Sequence, residues 1–280
     1  MMNKNRYIFI VVAGALSGIL LTFQYVNPIE NTISLREIVF QLSGSRGEIL
    51  LGFSFSELIA FSARLLPYYT FELYMGVEIY QHFCTSSIYV FSRVSNRTKW
   101  YLKETLQVFA LSALYAAIIL AVTALTTGMR YQVTLDTIGF VKSAVYVLLY
   151  AMWCFIMTMA INLIALKHGS STAFTVVIAA QILLLTLFSL MNSLTSRTGV
   201  LLLLTINPMT RLVIGWLDPQ GQSSGNDLFC DMIKSADINP FFSTVNAFCV
   251  FLFFMILIVF IGMYQVKHYE VLYANPEQEV

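Results

Sequence analysis

Five long stretches of this sequence contain no Asp, Glu, Lys or Arg. They are residues 7–29, 105–129, 143–166, 168–196 and 238–266. A helix needs about 20 apolar residues to cross the roughly 30 Å hydrocarbon core of a bilayer, and every stretch reaches that length. Only 11% of the 280 residues are charged and the mean hydropathy is +0.74, whereas soluble domains carry about 25% charged residues. The sequence therefore predicts an all-α, polytopic membrane protein.

A sixth span is predicted where the sequence is apolar but not free of charge. Residues 51–80 are largely apolar, yet they include Glu57, Arg64, Glu72 and Glu78. We treat the whole chain, 1–280, as a single transmembrane domain. The six predicted spans are about 7–26, 51–80, 105–128, 143–166, 172–195 and 242–266.

The loop charges predict the orientation, because Lys and Arg accumulate in cytoplasmic loops. Six spans place both termini on one side. If that side is the cytosol, eight basic residues fall in about 50 inner loop residues and seven in about 84 outer ones. We therefore expect a multi-pass protein of the cell (plasma) membrane with cytosolic termini. Its main cytosolic loop is 81–103, and its largest outer segment is 196–241.

The residues that catalysis requires are not found in a usable arrangement. The sequence has neither a phosphate-binding G-x-x-x-x-G-K-[ST] loop nor an H-E-x-x-H motif. His82, His168 and His268 all lie near predicted cytosolic span ends, too shallow to act as bases within the membrane. A net charge of +1 gives no reason to expect a nucleic-acid partner. We expect no enzyme, no catalytic residue, no metal ligand and no cofactor in this chain.

The charged second span allows two interpretations. A charge at the centre of a membrane helix costs about 2.5–3.5 kcal/mol on insertion scales, so these side chains should avoid lipid. At about 100° per residue, Glu57, Arg64 and Glu72 fall on one helix face. That face either lines a water-filled translocation path (or a partner's matching span) or pairs helices within the bundle through Arg64 and an acidic neighbour.

The loop that follows combines apolar and basic residues. Ile88 and Phe91 are apolar but too close to Arg93 and Lys103 to form a span centre. The loop is typical of a short amphipathic helix at the cytosolic surface, followed by a basic turn. Such loops commonly bind anionic headgroups. The hydroxyl- and aromatic-rich stretch 85–92 instead favours docking into a protein groove.

Four segments of this region resemble a known family. They are residues 65–68 (LLPY), 71–76 (FELYMG), 87–93 (SIYVFSR) and 97–103 (RTKWYLK). They resemble the permease subunits of type-2 ABC exporters, of the kind associated with peptide antibiotics and bacteriocins in Gram-positive bacteria. The specific resemblance covers about forty residues. The six-span plan with a cytosolic N-terminus is similar along the whole chain.

The resemblance implies a transport function driven by a partner. A separate ABC-type ATPase would bind a coupling helix between the second and third spans, and ATP and Mg would reside on that ATPase. The residues implied to contact it are Thr85, Ser87, Tyr89, Phe91, Arg93 and Arg97. Two permease copies, identical or different, would assemble with two ATPases and export or remove a peptide or amphipathic compound. The segment 196–241 would form re-entrant outer pieces between the fifth and sixth spans.

Two other functional classes remain open. A membrane scaffold or immunity protein would explain the spans, but not why the resemblance falls on the loop expected to meet an ATPase. An ion-coupled carrier would use Glu57, Arg64 and Glu72 as a relay. Carriers often show internal symmetry between halves, and the second span has no charged counterpart in spans four to six. The sequence favours the exporter permease.

Overall fold

The structure is a computed structural model of the chain. It describes residues 4–28, 31–44, 55–81, 97–189, 206–217 and 243–268. The helices are α1 (Lys4–Tyr25), α2 (Leu35–Ser43), α3 (Phe55–Met75), α4 (Arg97–Arg130), α5 (Thr137–His168), α6 (Ser170–Ser189), α7 (Ile214–Leu217) and α8 (Thr244–His268). Strand β1 is Thr32–Ser34, strand β2 is Gln132–Thr134, and a 3-10 turn spans Pro208–Leu212.

Five of the described helices are long and apolar enough to cross a membrane. They are α1, α4, α5, α6 and α8, each of which overlaps a charge-free predicted span. Helix α3 occupies the place of the predicted second span but is not among the five; it carries Glu57, Arg64 and Glu72. The architecture is that of a mostly helical chain, compatible with a polytopic membrane protein.

Contacts between helix termini identify two ends of the bundle. Glu78, just after α3, forms an ion pair with Arg6 at the start of α1. Tyr101, in the second turn of α4, packs against Gly262 near the end of α8. We call this the loop end, and the opposite end, where β1 and β2 lie, the sheet end. Helices α1, α4 and α6 run from the loop end to the sheet end, while α3, α5 and α8 run back.

Helix α1 packs closely on α4 through two glycines one turn apart. A side chain at Gly18 would meet the Ile119 carbonyl oxygen at 2.8 Å, and one at Gly14 would meet the Ile118 side chain at 3.0 Å. The hydroxyl of Thr123 donates across this contact to the Gly18 carbonyl over 3.1 Å. Small residues four apart allow membrane helices to approach closely, where van der Waals packing drives association. The four-residue spacing of Gly14 and Gly18 is visible in the sequence, but this helix contact was not predicted from it.

The two strands are an addition to the predicted all-α class. β1 and β2 pair in parallel, with Thr32 opposite Gln132 and Ser34 opposite Thr134. Each strand is the next regular element after one of two helices: β1 follows α1 after six residues and β2 follows α4 after one. Because those two helices run in the same direction, their continuations meet side by side.

Short elements pack against the sheet end of α5. Helix α2 begins with a capping box, in which Ser34 and Glu37 each bond the other's backbone N–H. Its apolar face is buried and packs on α5 and α7. The 3-10 turn also packs on α5. Within the predicted outer segment 196–241, residues 206–217 are described, and they form this turn and α7 rather than a longer helix.

The core is centred on α5. This helix contacts α2, α3, α4, α6 and α8. Its fully buried side chains include Tyr146, Tyr150, Trp153 and Phe155. By contrast, α8 turns large apolar side chains such as Phe253 and Phe260 outward, as a helix in contact with lipid does. The buried polar residues of α5, such as Thr158 and Asn162, therefore lie in the interior of the bundle.

Candidate functional site

The structure places the charged residues of the predicted second span differently from one another. Arg64 and Glu72 are both buried, with exposed fractions of 7% and 2%. Glu57 belongs to the first turn of α3, and its side chain lies outside the described residues. Of the residues implied to contact an ATPase, Arg97 begins α4. The others, Thr85, Ser87, Tyr89, Phe91 and Arg93, lie outside the described residues.

Arg64 lies among aromatic rings near the sheet end. Its guanidinium carbon is 4.4 Å from the centroid of the Tyr25 ring, a cation–π distance. The Tyr25 hydroxyl donates to the Ala60 carbonyl, one turn before Arg64, over 2.8 Å. Arg64 also interacts electrostatically with the Tyr150 hydroxyl of α5. Arg64 thus connects α3 to α1 through the Tyr25 ring and acts electrostatically on α5, whereas the predicted pairing with an acidic neighbour remains a prediction.

A cluster of buried tyrosines lies one turn further into the bundle. The hydroxyls of Tyr68 and Tyr146 are 2.6 Å apart, and the Tyr68 and Tyr150 ring centroids are 4.7 Å apart. The Tyr115 hydroxyl of α4 donates to the carbonyl of Pro67 over 2.8 Å. All four tyrosines are no more than 1% exposed. They join three helices through hydrogen bonds that lipid cannot supply.

Glu72 lies a further turn toward the loop end, where α3, α5 and α6 meet. The Nε2 atom of Gln181, on α6, donates to Glu72 Oε2 over 2.6 Å. Glu72 also interacts electrostatically with the Cys154 thiol of α5. Within the described part of the chain, Glu72 forms no ion pair. A buried carboxyl group bonded to a neutral amide keeps its charge, when ionised, only partly compensated.

Asn162 forms the polar contacts of α5 nearest the loop end. Its Oδ1 accepts from the Tyr80 N–H over 3.1 Å, and its Nδ2 donates to the Thr158 carbonyl over 2.9 Å and, more weakly at 3.4 Å, to the Met75 carbonyl. These bonds replace part of the backbone pairing that α3 loses when it ends at Met75. The chain segment that enters the loop is thereby tied to α5.

Two polar stripes face each other along α3 and α5. On α3, Arg64, Tyr68 and Glu72 recur every four residues; on α5 the same interval joins Tyr146, Tyr150, Cys154, Thr158 and Asn162. Residues four apart are neighbours on a helix surface, and each step turns the row by about 40°, so the α5 row winds about 160° around its helix. Charge alone directed attention to Arg64 and Glu72. The uncharged α5 residues and Gln181 were missed, although the four-residue interval on α5 is visible in the sequence.

The loop end is also rich in basic residues. Arg97, Lys99 and Lys103 occupy the first two turns of α4, and Lys99 and Lys103 are exposed. Lys167 ends α5 and Lys267 ends α8 at this same end. With 34 residues, α4 is about 51 Å long, so it exceeds a roughly 30 Å hydrocarbon core by several turns. The exposed Lys99 and Lys103 belong to this excess length.

No protein-family model, no curated protein and no solved structure matches this chain. A functional assignment therefore rests on the chemistry of the chain itself.

Proposed function

We propose that this chain is the membrane-spanning subunit of an ATP-driven exporter of the type-2 ABC class, in the plasma membrane of a Gram-positive bacterium. It would move a peptide or amphipathic compound, with energy from a separate ATPase docked on residues 81–103. The observation that carries the proposal is the basic start of α4, which prolongs a membrane-length helix beyond its apolar part, directly after the predicted coupling segment.

The contacts at both ends of the loop support a role as a lever. At its start, Asn162 ties Tyr80 to α5. At its end, α4 begins without interruption and continues to the sheet end of the bundle. A displacement of the loop is therefore passed to α4, α5 and α3. An ATPase can drive such a displacement only if it binds the loop with different affinity in its ATP and ADP states.

Co-purification tests the proposal most directly. The tagged chain would be isolated from its native host in mild detergent, and bound proteins identified and quantified by mass spectrometry. We expect a nucleotide-binding subunit at near one-to-one ratio. Arg93→Glu and Phe91→Asp should each reduce that subunit at least about tenfold, equivalent to 1.4 kcal/mol of docking energy.

Lys142→Glu is the matched control for the charge reversal. Lys142 lies in the first turns of α5, at the sheet end, so this variant should retain the ATPase. If intact wild-type protein brings down no nucleotide-binding subunit, the exporter proposal is wrong and a scaffold or immunity role takes its place. If both loop variants recover as much ATPase as the wild-type protein does, the loop is not part of the docking surface.

A further inference from the structure

Several buried oxygen atoms around Glu72 accept no hydrogen bond. Among the described residues, Glu72 Oε1, Gln181 Oε1 and Thr158 Oγ1 are all buried without a hydrogen-bond partner. The three side chains are at most 2% exposed. Buried polar atoms are satisfied in the great majority of native structures. Three such atoms on α3, α6 and α5, helices that contact one another in pairs, point to a ligand that takes oxygen donors.

These atoms converge at the junction of three helices. Glu72 bonds Gln181 directly, so α3 and α6 are joined there. On α5, Cys154 interacts with Glu72, and Asn162 bonds the Met75 carbonyl one turn further along α3. Thr158 lies midway between these two α5 residues on the same helix face. We infer that its hydroxyl points toward the same junction.

The charge at this junction defines the ligand class. When ionised, Glu72 supplies one negative charge, and it has no ion-pair partner in the described part of the chain. Arg64 is two helical turns away, about 12 Å along the axis, and contacts Tyr25 instead. No group of three or more His, Cys, Asp or Glu residues that would suit a metal ion occurs in the described ranges. A single positive charge is the complement of a single carboxylate.

We propose that Glu72, Gln181 and Thr158 form a binding site for one alkali-metal cation within the bundle. The ligands are a carboxylate oxygen, an amide carbonyl oxygen and a hydroxyl oxygen, the donor types that hard cations take. A proton would neutralise Glu72 but leave the oxygens of Gln181 and Thr158 unused. The site does not depend on whether an ATPase docks on the loop.

Cation-dependent thermal unfolding of the full chain in detergent tests the site. Sodium, potassium, lithium and choline chloride would be titrated separately at constant ionic strength and fixed pH. A cation that binds only the folded protein raises Tm in proportion to the logarithm of its concentration once it exceeds Kd. We expect that increase with at least one alkali cation and not with choline.

Two variants assign the effect to the proposed ligands. Glu72→Gln and Thr158→Val should each weaken the apparent affinity at least about tenfold, in the range found for lost metal-site interactions. Thr123→Val is the matched control, because the Thr123 hydroxyl already donates to the Ile119 and Gly18 carbonyls. It should lower Tm without changing its dependence on the cation.

Three results would overturn the site. The first is a Tm that responds equally to alkali and choline chloride. The second is an alkali response that persists unchanged in Thr158→Val, which decides the matter even if Glu72→Gln does not fold. The third is a Tm that varies with pH but not with any alkali cation, which would assign the Glu72 carboxyl to proton binding instead.

Discussion

The hydroxyl oxygens of Tyr68 and Tyr146 lie 2.6 Å apart in the interior of the bundle, joining α3 to α5. Tyr68→Phe or Tyr146→Phe alone leaves one hydroxyl without its partner and should lower the free energy of unfolding by about 1 kcal/mol. The double variant should lose less than the sum of the two. Reversible unfolding from mild detergent into dodecyl sulfate measures all three.

Tyr74→Phe is the control for this cycle, because the Tyr74 ring stacks on Phe9 and its side chain is 39% exposed. It should change stability by less than about 0.5 kcal/mol. Strictly additive losses in the double variant would show that the two hydroxyls do not interact.

Gly262→Ala should destabilise the loop end. The added methyl group would overlap the Tyr101 hydroxyl and approach Leu163 Cδ2 at 3.0 Å, so α8 must shift away from α4. Overpacking of this kind costs about 1–3 kcal/mol. The same unfolding assay measures the loss, and Tyr101→Phe should restore part of it by removing the overlapping oxygen.

Gly128→Ala provides the comparison, since a methyl group there meets only Val133 Cγ2 at an ordinary 3.8 Å. Alanine favours helix over glycine by up to about 1 kcal/mol. This variant should therefore be neutral or slightly more stable. Equal destabilisation by the two substitutions would contradict the close approach of α8 and α4.

Asn162→Leu should loosen the chain between α3 and the loop. Without the Asn162 amide, the Tyr80 N–H loses its acceptor and the Met75 carbonyl loses a donor. Hydrogen exchange of residues 76–81 should accelerate at least about tenfold, which corresponds to 1.4 kcal/mol of local opening. Mass spectrometry of peptide fragments would locate the change.

Thr105→Val is the control for exchange, because its hydroxyl bonds the Tyr101 carbonyl one turn earlier in α4 and not the segment 76–81. It should leave residues 76–81 unchanged. If Asn162→Leu accelerates exchange uniformly over the whole chain, the asparagine stabilises the bundle as a whole and does not specifically anchor the loop.

A double variant that swaps the charges at positions 6 and 78, Arg6→Glu with Glu78→Arg, should be more stable than either single charge reversal. The Arg6 and Glu78 side chains are 10% and 14% exposed, so a reversed charge meets a like charge with little water to screen it. Arg6→Glu and Glu78→Arg should each lower stability by about 1–3 kcal/mol. The double variant should recover at least half of that loss. If it does not, Arg6 and Glu78 do not interact, and the ends of α1 and α3 are not joined by this ion pair.

Arg64→Leu should be among the most damaging single changes. It removes the cation that contacts Tyr25 and acts electrostatically on Tyr150, from a position only 7% exposed. Arg64→Lys keeps the charge but loses the planar group, so it should be intermediate. Yield of monodisperse protein and unfolding free energy measure both. A fully stable Arg64→Leu protein would show that this side chain does not join the helices.

The sequence predicted those structural features that are determined by a short, continuous stretch of the chain. A charge-free length is a local property, and all five such stretches coincide with long apolar helices. The β1–β2 pair could not be predicted in this way, because each strand has three residues and its partner lies about 100 positions away. Arg64 and Glu72 were identified by their charge. Gln181 and Asn162 are uncharged, and only the packing of α5 and α6 on α3 reveals their partners.

The contact of α1 with α4 has a mechanical consequence. These two helices are held by close glycine packing along their length and by the β1–β2 backbone hydrogen bonds at the sheet end. Separating them would break both at once. We therefore expect α1 and α4 to move together as one rigid unit when the basic first turns of α4 are displaced. We expect the bundle to hinge more readily where helices meet through side chains, as at the junction around Glu72.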